Sequence, residues 1–170
     1  MEDFISAILH AVLSNLGVLL VIVAIIVGYT RLRRGGTAGT SSSADVYWQE
    51  LLFYGVGIGM IWFGIIHAFF QQLASKNIGW EPSPFEFELG FAEIGLGIVA
   101  LLSRRSFDLR VGVTVMFAVL AFAAAAQHIY FIVCCGNMHP GNAGLTLWFG
   151  DIIFPLALVA LCWKVASERR

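Results

Sequence analysis

Charged residues are scarce in this sequence. Only 12% of its 170 residues are Asp, Glu, Lys or Arg, and the formal net charge at pH 7 is -1. A soluble domain of this length typically carries about twice that charged fraction. The chain therefore has too little polar surface for a water-facing globule. Its basic residues fall in short clusters between apolar segments, so we expect no nucleic-acid partner.

Cysteines and familiar catalytic motifs are also sparse. The three cysteines, Cys134, Cys135 and Cys162, match neither a zinc knuckle nor a CxxC redox pair. Adjacent cysteines seldom bond to each other, so we expect Cys134 and Cys135 to be small apolar side chains near a helix end. The sequence contains no P-loop, HExxH or nucleophile-elbow motif. These absences leave no motif-based indication of an enzyme, and enzymatic activity stays open.

Long apolar runs are what the sequence has in abundance. Hydrophobic residues make up 59% of the chain, and a membrane-spanning helix needs about 20 of them in succession. The acidic start Met1-Glu2-Asp3 is unlike a secretory signal, so the first run is predicted to be a retained helix. The prediction is an all-α integral membrane bundle in one domain, 1–170, with five spans at approximately 4–28, 48–73, 84–102, 111–133 and 145–165.

Basic residues predict the orientation of these spans. Five crossings put nine of the ten basic residues on one side and only Lys76 on the other. Because basic loops stay in the cytoplasm, we expect an outside N-terminus, a cytoplasmic C-terminus and a location in the inner (plasma) membrane. Residues 31–46 are then a flexible cytoplasmic linker, since they are rich in Gly and Ser. The expected surroundings are the lipid bilayer and a homo-oligomer or larger membrane complex.

One helix start is marked by a capping motif. Ser83, Pro84 and Glu86 fit a capping box, with Ser83 as N-cap and Glu86 at the third helical position. This pattern predicts the start of the third span more sharply than apolar length predicts the others.

Ionisable residues recur at one depth in the predicted spans. A charge within hydrocarbon costs about 2.5–3.5 kcal/mol, so each such residue needs a reason. Counting from the outer end at the helical rise, every span places one residue about a turn and a half deep, and the third adds a deeper one. The inner half contributes almost none, apart from charges at the ends of the spans that can reach the interface. The predicted outer layer consists of His10, His67, Glu88, His128 and Asp151, with Glu93 below it.

A metal or haem site is the first hypothesis for this layer. Histidine is the commonest metal ligand and is often oriented by a carboxylate. We therefore predict His67, His128, Glu93 and Glu88 as ligands of a transition metal or haem that serves redox chemistry. Pro155 follows Asp151 by four residues and deprives its carbonyl of a helical donor. Further partners or proton-relay groups are His10, Gln71, Gln127 and Asp151, and a lid over the site is Asn137, His139 and Asn142.

Two other functions fit the same residues. In the first, the layer binds a proton or cation in a small carrier, which as a five-helix protein is expected to dimerise. In the second, the polar residues only join helices in a non-catalytic subunit of a membrane complex. The loop 136–144 has an ordinary interpretation too, because Asn and Gly favour tight turns.

A family resemblance groups part of this layer. The stretch Ser83 to Glu93, which reads SPFEFELGFAE, together with Gln127-His128 and the loop 136–144, resembles a family of small bacterial multi-pass membrane proteins of unknown function. The resemblance covers roughly the second to fifth predicted spans. It implies that these residues belong together but brings no activity.

Overall fold

The structure, a computed structural model, describes residues 15–35 and 42–170. Within these ranges the chain is helical and contains no strand, which confirms the all-α class. A 3-10 turn, Ser103–Arg105, separates the fourth and fifth helices. The helices are α1 (Leu16–Arg33), α2 (Ser43–Phe69), α3 (Gln71–Ile78), α4 (Phe85–Leu102), α5 (Phe107–Cys135) and α6 (Pro140–Glu168).

Four of the described helices are long and apolar enough to cross a membrane. They are α1, α2, α5 and α6, and they indicate a polytopic membrane protein. The third predicted span corresponds to α4, which has 18 residues but carries Glu86, Glu88 and Glu93. Its acidic residues set it apart from the other four.

Several helix bounds differ from the predicted spans. The described part of α1 continues to Arg33, and α2 begins at Ser43, so helices extend into both ends of the predicted linker. The hydroxyl of Ser42 accepts the backbone N–H of Asp45 at 3.2 Å, which explains the early start of α2. The predicted second span, 48–73, is interrupted at Phe70, where the chain restarts as α3. Residues 4–14 and 36–41 lie outside the described ranges.

Helices α2 and α4 are antiparallel and touch through their backbones. A Cβ atom at Gly90 would lie only 2.6 Å from the backbone oxygen of Gly64, and one at Gly97 would lie 2.7 Å from that of Gly57. Moving forward from Gly57 to Gly64 along α2 therefore means moving backward along α4. Small residues at helix crossings in membranes allow this close approach. The contact fixes which side chains of the two helices can meet.

Two helices contain a π-helical segment, Leu51–Ile58 in α2 and Thr146–Ile153 in α6. The second segment ends just before Pro155, which has no N–H to donate. The wider turn lets Phe154 donate to the carbonyl of Phe149, five residues back. A π segment thus surrounds Asp151 next to the proline, and such segments are often found at functional sites.

The buried core is formed by α1, α2, α4, α5 and α6, and most of its side chains come from α2, α5 and α6. The described outward surfaces of the helices expose many large apolar side chains, Ile26 and Val119 among them. That distribution suits a protein surrounded by lipid. The central core side chains are Trp48, Leu52, Val56, Val113, Phe117, Phe154 and Leu158.

Candidate functional site

His67 on α2 and Glu93 on α4 form a hydrogen bond between helices. Nδ1 of His67 lies 2.7 Å from Oε2 of Glu93. The Glu93 side chain is 8% exposed and that of His67 is 24% exposed. His67 and Glu93 each lie about one turn from the Gly64–Gly90 contact, on opposite sides of it along the antiparallel helices, and the close backbones allow these two long side chains to reach each other. The pair combines a buried carboxylate with a more accessible imidazole.

Glu86 extends the polar region toward the start of α4. Its Oε1 accepts the Ser75 hydroxyl at 2.6 Å and the backbone N–H of Ser83 at 3.0 Å. The Ser83 bond is the reciprocal half of the predicted capping box. The Ser83 hydroxyl accepts from Phe85 instead of Glu86, and the helix begins at Phe85. The other Glu86 oxygen, Oε2, is buried without a partner among the described residues. Glu86 thereby joins α3 to α4.

His128 on α5 belongs to a second, separate unit. Its Nδ1 lies 2.7 Å from Oδ1 of Asn142, which also accepts the indole N–H of Trp80 at 3.1 Å. Because an amide oxygen only accepts, Nδ1 of His128 must be the protonated nitrogen. The Asn142 amide donates to the carbonyls of Asn137 and His128. Asn142 is fully buried and fully bonded, as expected of a structural tie.

Asp151 faces His128 without bonding to it. Its Oδ2 lies 3.7 Å from Nε2 of His128, beyond hydrogen-bond distance. This oxygen is buried and has no partner in the described part of the chain. The Trp80 ring packs against His128, with centroids 5.2 Å apart, and covers the unit.

The predicted layer therefore divides into two units. His67 joins Glu93, His128 joins Asn142 beside Asp151, and Glu88 is exposed. Within residues 15–35 and 42–170, no group of three or more His, Cys, Asp or Glu is arranged to hold a metal ion. The predicted ligand set of His67, His128, Glu93 and Glu88 gains no support from this geometry.

The other predicted site residues have mixed positions. His10 lies outside the described residues. Gln71 is half-buried at the start of α3, and Gln127 is exposed. Of the predicted lid, Asn142 reaches His128 as that hypothesis requires. Asn137 donates to the carbonyls of residues 78 and 79, and His139 is exposed beside Gly79.

A charged cluster at the other end of the bundle was not predicted. The fully buried Glu50 accepts hydrogen bonds from Arg31 and Arg104 on one oxygen, Oε1. Beside it, Arg110 pairs with Asp45 at 2.5 Å, and both residues are buried. These charges lie near helix ends, as expected for this half, but their burial and pairing were not predicted.

The sequence did contain a signal for this cluster. Asp45 and Glu50 flank Trp48 at the start of a span, on the side that the positive-inside rule assigns to the arginines. Arg110 lies over the Trp48 ring at 4.6 Å, and the Trp48 indole N–H donates to Thr114. Acidic residues at a helix end that lies on the arginine-rich side of the bundle are therefore a sequence signal for ion pairs with those arginines.

The described ends of the bundle thus differ in charge. We call one the basic end and the other the acidic end. The acidic end has one basic residue, Lys76, and five acidic residues, Glu81, Glu86, Glu88, Glu93 and Asp151. The basic end has nine basic residues, Arg31, Arg33, Arg34, Arg104, Arg105, Arg110, Lys164, Arg169 and Arg170, against the acids Asp45, Glu50, Asp108 and Glu168.

The adjacent cysteines end α5 near the acidic end. Cys134 and Cys135 are paired as a disulfide, so the expectation that they do not bond is wrong. Gly136 follows in the left-handed conformation, with φ of 64°, and ends the helix.

A known protein family has a model that covers most of this chain. The model of a family of unknown function, DUF6790, matches residues 14–170. No curated protein and no solved structure matches the chain.

Proposed function

The chain belongs to DUF6790, a family of unknown function, and we propose that its His67–Glu93 pair binds and releases protons in a small carrier that moves protons across the membrane. The 2.7 Å contact between these two side chains carries the proposal. An ionisable residue in hydrocarbon is costly and is a functional candidate by default. A histidine bonded to a carboxylate holds a proton in either of two places, so the pair suits proton exchange.

Access to the pair favours exchange from the acidic end. His67 is the more exposed partner, and α2 ends two residues after it, just before the break at Phe70 that precedes α3. At the basic end, Glu50 is fully buried beneath two arginines. A proton that enters beside His67 therefore meets a closed opposite end, and release there requires a change in helix packing.

A five-span topology, with α4 as a crossing helix, is part of the proposal. Glu93 on α4 contacts His67 near the C-terminal end of α2. Arg104, which follows the C-terminal end of α4, contacts Glu50 near the start of α2. The 18 residues of α4 extend about 27 Å, close to the hydrocarbon thickness of about 30 Å. We assign the basic end to the cytoplasm, the N-terminus to the outside and the protein to the plasma membrane.

His128 is assigned a different role. Its bond to the fully satisfied Asn142 favours a structural tie between α5 and α6 within this chain. The proposed proton site therefore consists of His67 and Glu93, with Glu86 nearby, and it needs no metal.

Proton movement into liposomes tests this function. The purified protein is reconstituted with a pH-sensitive dye inside, and a potassium gradient with valinomycin makes the interior negative. We expect faster acidification than in empty liposomes, and its loss in Glu93→Gln. The matched control, Glu88→Gln, removes an exposed acid from the same helix and should keep the wild-type rate.

Two results contradict the proposal. One is a wild-type protein that acidifies liposomes no faster than lipid alone. The other is an unchanged rate in Glu93→Gln when the variant elutes as a single folded species.

A further inference from the structure

The basic end contains two groups of arginines, those that pair with an acidic residue and those that do not. Arg31, Arg104 and Arg110 pair with Glu50 or Asp45. In the described ranges, the exposed Arg33, Arg34 and Arg105 form no ion pair with an acid. The buried acids Asp45 and Glu50 are therefore already paired with other arginines, and the surface of this end carries positive charge that they do not neutralise.

Glu50 gathers part of this charge at one place. Arg31 on α1 and Arg104 in the 3-10 turn donate to the same oxygen, so the end of α1 lies beside the turn. Their chain neighbours, Arg33 and Arg34 on one side and Arg105 on the other, flank this contact. We call these five residues, Arg31, Arg33, Arg34, Arg104 and Arg105, the arginine cluster.

The cluster retains hydrogen-bond donors for another anion. The side chains of Arg31 and Arg104 are 33% and 37% exposed although both are paired. A guanidinium has five N–H groups, and its bond to Glu50 uses few of them. Guanidinium groups match the geometry of phosphate oxygens, so several arginines around one point suit a phosphate group.

We propose that the arginine cluster binds the headgroup phosphate of an anionic phospholipid. The membrane supplies this ligand because α1 leads to the cluster along an exposed apolar face that includes Ile22, Ile26 and Tyr29. Tyr29 accepts the Nε–H of Arg33, which holds that arginine at the end of the face. Acyl chains on α1 then place a headgroup beside the cluster, and basic pockets between helices bind anionic lipids in this way.

A binding assay with two matched double variants tests the site. Delipidated protein in mild detergent is titrated with phosphatidylglycerol, with phosphatidylcholine of the same acyl chains, and with inorganic phosphate. Arg34→Gln with Arg105→Gln removes two exposed cluster charges without touching Glu50. Arg169→Gln with Arg170→Gln removes two charges from the same end outside the cluster.

We expect wild-type protein to prefer phosphatidylglycerol over phosphatidylcholine. The cluster variant should bind phosphatidylglycerol about 30-fold more weakly, from the usual contribution of two cations near a membrane surface. The control variant should change far less. Equal weakening in both variants, equal binding of both lipids, or displacement of the lipid by millimolar inorganic phosphate would each overturn the proposal. Thermal unfolding of both variants confirms that they are folded.

Discussion

Individual charged residues are stabilised differently at the two ends of the bundle. At the basic end, the buried carboxylates are neutralised by arginines, as in the Asp45–Arg110 pair. At the acidic end, the described carboxylates that have a side-chain partner contact histidine or serine, as Glu93 does with His67. An ion pair with a permanently charged arginine is a fixed structural element, whereas a histidine–carboxylate pair changes its protonation. The chemistry proposed for each end follows from this difference.

Replacing Asp45 should destabilise the folded protein strongly. Asp45→Asn leaves the Arg110 guanidinium, whose side chain is only 5% exposed, without its counter-ion. Removing one partner of a buried pair typically costs about 3–5 kcal/mol. We expect a clearly lower midpoint of thermal unfolding in detergent. Asp108→Asn, which removes an exposed acid at the same end, should leave the midpoint unchanged.

A double variant separates the pair from a general charge effect. With Arg110→Gln added, Asp45→Asn no longer leaves a buried charge unpaired. The double variant should therefore lose less stability than the sum of the two single variants. Simple additivity would mean that the pair contributes nothing as a pair.

At the scale of helices, the length of an apolar run predicts well that a helix exists there. It predicts poorly which side chains of that helix contact other helices. The described α2, α4, α5 and α6 each correspond to a predicted span. The start of α2 differs from the predicted start of the span because the Ser42 side chain caps the helix earlier. Arginine partners also allow Asp45 and Glu50 to be buried in this first part of the helix. Depth is countable along a helix, and the count placed Glu93 deeper than His67, so the sequence did not predict that these two side chains bond to each other. Rotation about the helix axis depends on packing, so the sequence did not reveal that His128 belongs to another unit.

The glycine contact between α2 and α4 gives a prediction at this scale. Gly90→Ala places a methyl group 2.6 Å from backbone atoms that cannot move aside, and such overpacking costs about 1–3 kcal/mol. We expect lower thermal stability and, because the helices separate, slower proton uptake in liposomes with both His67 and Glu93 intact.

Gly95→Ala is the matched control on the same helix. A Cβ atom there meets nothing within 4 Å, and alanine favours helix over glycine. Stability and proton uptake should stay at or slightly above the wild-type values. If Gly90→Ala behaves in the same way, the close contact is not needed for the pair.

For the whole molecule, the topology depends on α4. If it crosses, the chain has five spans, and the cytoplasmic side gathers nine of the ten basic residues. If it does not, residues 81 and 105 lie on the same side of the membrane. The packing of α4 along α2, from Gly90 to Gly97, favours a crossing because both helices then pass through the same depth. Its acids are compatible with this, since Glu86 and Glu88 lie in the first turn and Glu93 is bonded.

Single-cysteine labelling in intact cells distinguishes the two topologies. In a variant lacking Cys134, Cys135 and Cys162, a cysteine is introduced by Glu81→Cys or by Arg105→Cys. A membrane-impermeant maleimide should label the first in intact cells and the second only after permeabilisation. Labelling of both in intact cells, or of neither, would show that α4 does not cross. The reverse pattern would keep the crossing but invert the orientation, and His67 would then exchange protons with the cytoplasm.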